Sequence, residues 1–241
     1  MFHKHGILNI ACTVFLATIM VLRLGGTASA FTDRSVIRGF NKTVFGSEFT
    51  SGSQSDYIRK FRSPVRFYIH NRARKNRRRA ARRFILGLNR AIRGLKTTIV
   101  SNPDQANFHL YIVDRQDYVD TVRNSVYHGA HVTVRGRCVV RSIFTRFGIS
   151  RSDAVIVSNE GNKLFRRCLA EEILQGLGPL NEDTSLSASM FNDRSRHTHF
   201  TRFDRYILNM LYDKRLKMGA SQQSVQSLLP RVLGDVKRRI R

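Results

Sequence analysis

C-L-A-E-E-I-L-Q-G-L-G, residues 168–178, carries a helix and the signal that ends it. Leu164, Phe165, Leu169, Ile173 and Leu177 recur at helical spacing, with Glu171, Glu172 and Gln175 set between them. Gly178 followed by Pro179 predicts the stop, since glycine takes the left-handed cap and proline cannot extend a helix. Polar side chains crowding one stretch of an apolar helix need an explanation, because a buried carboxylate is costly unless something pairs with it. Two readings stand. Either the acids are structural, with Glu171 toward solvent and Glu172 a satisfied core acid, or they belong to a site.

Working outward, D-A-V-I-V-S (153–158) directly precedes this helix and is the most apolar strand, hence expected at the centre of a sheet. Residues 64–70 alternate Val65, Phe67 and Ile69 with polar side chains, and residues 97–100 and 107–113 read as two more strands. Short strands are expected at 131–134 and 137–143, with Gly136 marking the turn between them. Ala73, Ala80, Phe84, Leu88, Ile92 and Leu95 keep a helical period, predicting one long amphipathic helix from residue 72 to about Gly94. Its outer face would carry Arg72, Arg74, Lys75, Arg77, Arg78, Arg79, Arg82 and Arg83. Residues 201–211 form an amphipathic helix with Thr201 as its cap, and residues 221–240 another that Pro230 interrupts. A helix crossing between strands, with later strands partly antiparallel, makes an α+β (mixed α/β) domain.

Residues 1–30 have the three parts of a secretory signal peptide: Lys4, an apolar run over 7–22, and Ala28-Ser29-Ala30 before Phe31. The run falls short of the ~20 residues a membrane span needs, and no other segment could span a bilayer. Residues 31–60 read as an N-terminal extension packed only in places, 61–220 as the folded domain, and 221–241 as a basic amphipathic helix. The expected location is therefore periplasmic or secreted. Cys138 and Cys168 are the two cysteines left, and in an exported chain such a pair is read as a disulfide. Losing Lys4 and Arg23 with the signal lowers the formal charge from +25 to +23. That charge attracts polyanions; for an exported chain, an anionic envelope component is favoured over nucleic acid. Charge by itself excludes no fold and names no activity.

The element order and three short segments resemble the metzincin branch of the zinc metallopeptidases, whose helix reads H-E-x-x-H-x-x-G-x-x-H or D. Glu172 and Gly178 match the glutamate and the glycine. Ser189-Met190 resembles the methionine turn, and T-R-F-D-R-Y-I-L-N-M-L-Y (201–212) is similar to the helix that follows it. Glu171, Gln175 and Asn181 stand where the three metal ligands would be. The whole pattern, C-x-x-E-E-x-x-Q-x-x-G, then S-x-x-F-N-D and L-Y-D-x-R-L, more closely resembles an uncharacterised family of bacterial exported domains of unknown function, over about residues 60–220. The resemblance implies a zincin-like scaffold in which Glu171, Gln175 and Asn181 converge above Met190.

Glutamine and asparagine amides are poor zinc ligands, so no zinc is expected; oxygen donors of this kind suit a harder cation, if any. The expected role is non-catalytic, binding an envelope component, a protein or a polyanion. The alternative is a hydrolase with Glu172 as general base and Gln175 or Asn181 orienting the substrate. Glu171 and Glu172, adjacent on a helix, project about 100° apart and cannot act as a facing acid–base pair. His197 and His199, or His128 and His131, could replace missing ligands, but no third partner is in view, and they read as surface histidines. No glycine-rich phosphate loop and no nucleophile elbow appear.

Overall fold

A computed structural model describes residues 1, 31–45, 57–62, 64–129 and 132–240. The expected signal peptide, apart from Met1, and residues 46–56 lie outside the described residues. Residues 31–241 form one compact unit. Among the described residues no helix is long and apolar enough to cross a membrane.

The unit is a mixed α/β fold with a five-stranded sheet and seven α-helices among the described residues. The strands are β1 (Val65–Asn71), β2 (Thr97–Ile99), β3 (Phe108–Val113), β4 (Cys138–Thr145) and β5 (Gly148–Val157), in the order β2-β1-β3-β5-β4. The first four in that order run parallel, and β4 pairs antiparallel with β5 at the edge. Every residue of β3 is buried, as a parallel strand covered on both faces requires. Phe108, Leu110 and Ile112 join the main core, while Tyr111 and Val113 enter a smaller cluster with Tyr118, Val122 and Val126. That smaller face is covered by α3 (Arg115–Thr121) and the π-turn Val122–Val126 that continues it. The larger face is covered by α2 (Arg78–Ala91) and α4 (Asn162–Gln175), while α1 (Asp33–Val44), α5 (Arg202–Leu211) and α7 (Leu229–Arg239) pack on one another in the same core and α6 (Gln222–Val225) is a single turn.

Three sequence expectations need correction. First, residues 33–44 of the expected extension are a regular helix seated in the core. Thr32 caps α1, accepting from Ser35 N–H at 3.1 Å, and Val36, Phe40 and Val44 are fully buried against α5 and α7. Residues 58–60 are threaded through the same core. Lys60 Nζ donates to the carbonyls of Leu211, Asp213 and Leu216, and burial lowers its pKa to about 8. Second, the arginine-rich helix starts at Arg78, not residue 72. Arg72 and Ala73 donate their N–H groups to Ile112 at the end of β3, so the chain prolongs β1 before it turns. The buried stripe of α2 is Ala81, Ile85 and Leu88, and Ala80 is exposed. Third, residues 132–135 form no strand, because the hairpin partner of β4 is β5, turning at Arg146-Phe147. The strand expected at 153–158 thus begins at Gly148; next to an edge, polar side chains such as Ser150 can face solvent and leave no hydrophobic signature.

Where β1 meets β3, His70 Nε2 and His109 Nδ1 lie 3.1 Å apart, and the His70 ring stacks on Tyr111 with centroids 4.2 Å apart. Burial first, then the charges of His109, Arg72, Arg151 and Arg78, push the His70 pKa down to about 4. An unfolded imidazole titrates near 6.5. As the pH falls from about 6.5 to about 4, the unfolded chain therefore takes up a proton that the folded chain refuses, and stability is lost across that window. In urea unfolding followed by circular dichroism, His70→Gln is expected to flatten the midpoint's fall between these limits relative to the parent chain. Parallel curves would contradict it.

Candidate functional site

The eight residues 168–175 are all buried, so both acids of α4 lie inside the protein. Glu171 is 4% and Glu172 6% exposed. The helix ends at Gln175, with Gly176 as a right-handed cap; Gly178 takes φ 143° three residues past the helix end, where a Cβ would sit 2.5 Å from the Arg59 carbonyl. Glycine is therefore needed at 178 for a close backbone approach as well as a turn.

Glu172 and Gln175 face a cleft of about 620 Å³ walled by Val140, Ser142 and Phe144 of β4 on one side and by Glu182 and Asp193 on another. The cleft and its helix are tied covalently. Cys138, the first residue of β4, forms a disulfide with Cys168 on α4. Cys138 Sγ and one carboxylate oxygen each of Glu171 and Glu172 lie within 4.8 Å of one another, but a disulfide sulfur is no thiolate ligand.

Glu171 is held in a bidentate pair: Arg167 Nη2 donates at 2.9 Å and Nε at 3.1 Å. The same guanidinium donates to the carbonyls of Asp193 (2.8 Å) and Ser195 and, at 3.5 Å, of Asn192. Burial raises the Glu171 carboxyl above the ordinary range, and Arg167 opposes that rise. Glu172 acts on its surroundings too: burial and its negative charge both hold the Tyr118 phenol in the neutral form.

Gln175 donates through Nε2 to the Glu182 carboxylate. Asn181 does not join them. Its Nδ2 donates to the Lys42 carbonyl at 2.7 Å and its N–H to Thr43, so the side chain is spent on α1, and the expected convergence with Glu171 and Gln175 fails there. Glu182 takes its place at the cleft. Carboxylate oxygens of Glu171, Glu182 and Asp193 lie within 4.8 Å of one another.

Met190 is 1% exposed. Its N–H and the Ser189 hydroxyl both donate to Asp204, which belongs to α5, at 3.1 and 2.6 Å. Asp204 also completes the capping box with Thr201. The loop carrying Met190 reaches α4 through the carbonyls that Arg167 holds.

Four residues of this arrangement escaped the sequence reading. Arg167 stands four before Glu171 and Asp204 three after Thr201, spacings that signal a helix ion pair and a capping box. Glu182 and Asp193 had no local signal. His197 Nε2 lies 3.1 Å from the Ser187 carbonyl, and neither His197 nor His199 groups with the acids; His131 lies outside the described residues. The donor set at the cleft is therefore carboxylates, amides and carbonyls, with no histidine or thiolate among the described residues there.

A family model described as a protein of unknown function, DUF2927, matches residues 33–231. The chain belongs to the DUF2927 family. No curated protein and no solved structure matches it. The DUF2927 match begins at the first residue of α1 and ends within α7, a wider span than 61–220, in keeping with the burial of both helices in the core.

In this DUF2927 domain the cationic run divides. Arg72, Arg74 and Lys75 precede α2 and are exposed, as are Arg78, Arg79, Arg82 and Arg83 on it. Arg72 lies 5.4 Å over the Tyr111 ring. Arg77 is a clasp, lying 4.4 Å over Phe165 and donating to the Ser158 carbonyl and to Asn162 Oδ1. None of the eight forms an ion pair among the described residues.

The disulfide closes a separation of 30 residues, so its removal is expected to cost about 3.5 kcal/mol in the chain-entropy account. Denaturant unfolding of Cys138→Ser/Cys168→Ser against the parent chain reads this; an unchanged midpoint would mean that the cleft wall needs no tether.

Proposed function

We propose that the chain is a non-catalytic, exported binding protein on a zincin-like scaffold, periplasmic or secreted, in which the old metal position serves structure. The observation that carries this is Arg167. Its guanidinium already puts a positive charge among one carboxylate and three carbonyl oxygens, beside the residue that stands for the first ligand. A metal there would have to displace an ion pair with bidentate geometry. The kinship rests on the motif order in the sequence and on Glu171, Glu172 and Gln175 sharing one helix, and Asn181, spent on α1, counts against it.

The cleft suits a protein partner. β4 is an edge strand, so an extended segment could pair with it, while Glu172, Glu182 and Asp193 would favour a positively charged one. The exposed arginines of residues 72–83, without acidic partners, would meet an anionic envelope component.

One observation favours the second reading, a hydrolase with Glu172 as general base: Glu172 and Gln175 do face an open cleft. Elemental analysis and a casein-cleavage assay separate the two. The binding reading expects substoichiometric zinc and no cleavage. About one equivalent of zinc, or a cleavage that Glu172→Gln abolishes at an unchanged thermal midpoint, would replace it with the hydrolase.

A further inference from the structure

Outside the cleft lies a groove of about 660 Å³ between α2 and α4, a size that would hold a small organic ligand. Its floor is carbon: Phe84, Leu88 and Ala91 of α2, Leu169 of α4, and Phe200. One end is cationic. Lys75, Arg77 and Arg166 line it where both helices begin, brought together by the 2.7 Å hydrogen bond from Arg77 to Asn162. None of these cations has a carboxylate partner among the described residues. Burial and the charge of Arg166 both depress the Arg77 pKa, the mark of two positive groups facing each other with no acid between.

Gly87 lines the groove at mid-helix, and a Cβ built there meets nothing within 4 Å. Glycine inside a helix weakens it relative to alanine, and neither a turn nor a close contact demands it here. Its consequence is an open trough. Both long walls are helices whose backbone groups are already paired, so an extended peptide would find nothing to bond, whereas an alkyl chain needs nothing.

We propose that the α2–α4 groove binds one acyl chain of an anionic membrane lipid, the chain lying along Phe84, Ala91 and Phe200 and the phosphate head on Lys75, Arg77 and Arg166. The ligand is a membrane lipid rather than a soluble phosphate, because the floor contributes contact area that only a chain can cover. This site is separate from the β4 cleft, and its failure would leave the reading of that cleft untouched.

Titration calorimetry of the purified chain tests it with three probes: lysophosphatidylglycerol below its micelle concentration, lysophosphatidylcholine of the same chain length, and glycerol 3-phosphate. One molecule of the anionic lysolipid is expected to bind per chain, with the choline lipid about tenfold weaker or more and glycerol phosphate undetectable. Gly87→Leu should weaken the anionic lipid by about tenfold or more while the thermal midpoint stays or rises, since leucine plugs the trough and favours the helix. Arg77→Gln with Arg166→Gln should bring the two lysolipids to equal, weak affinity. Equal binding of the two lysolipids to the parent chain would overturn the proposal, as would tight binding of glycerol phosphate alone, or a Gly87→Leu chain that binds as before. Preferential capture of an amphipathic helical peptide would point to a protein partner and overturn it as well.

Discussion

Arg167→Ala is expected to destabilise the fold by about 3–5 kcal/mol, the largest loss of any single substitution in the cleft. The Glu171 side chain is 6% exposed and, among the described residues, its charge is met by Arg167 in bidentate form. Without the guanidinium the carboxylate is left buried and uncompensated, and the carbonyls of Asp193 and Ser195 lose their donor. The cost should be recoverable. Arg167→Met combined with Glu171→Leu removes both charges, and the double variant should regain much of the loss, because the penalty is chiefly that of one orphaned charge. Urea unfolding of the parent, the single and the double variant reads both statements. A single variant within about 1 kcal/mol of the parent, at the level of an exposed ion pair, would mean that Arg167 is not the resident cation of this site, and the binding reading would lose its main support.

Asp204→Ala is expected to cost about 3–4 kcal/mol. Asp204 is fully buried and accepts from the Ser189 and Thr201 hydroxyls and from the N–H groups of Met190 and Thr201. Removing it breaks the capping box of α5 and leaves the Met190 amide without its acceptor. Hydrogen exchange should therefore quicken at Met190 well before the sheet is affected. Asp204→Asn keeps the shape and one acceptor oxygen, so it should lose less than the alanine variant. If the two variants unfold alike and Met190 stays protected, the turn is held by something other than this carboxylate.

Short-range chemistry was legible in the chain. Helix α4 followed from its apolar spacing, α5 from Thr201 at its start, and β1 and β3 from their alternation or continuous apolarity. The disulfide was legible as well, from the two cysteines that remain beyond residue 30. What misled was context. Residues 72–77 have the composition of a helix, yet the Ile112 carbonyl of β3, on the side that pairs with β1, takes the N–H groups of Arg72 and Ala73 and holds the start of the run to the sheet. α1 hides among glycine, serine and threonine, and its buried side chains make sense only once α5 and α7 are beside it.

The candidate site divides along the same line. Glu171, Glu172 and Gln175 were visible because they share one helix, where a spacing of three or four residues is already a spatial statement. Asn181 was misplaced because it follows the helix end, where spacing no longer sets direction; α1 offers it a carbonyl and takes it. The sequence alone determined which side chains line α4 and that Glu171 and Gln175 stand one turn apart on it, since both depend on residue identity and local periodicity. Only the tertiary structure decided that the Arg167–Glu171 pair is buried, that Glu182 and not Asn181 reaches the cleft, and that the arginines flank an open apolar groove. Each of these joins segments distant in the chain or turns on burial, and both are settled only when the core closes.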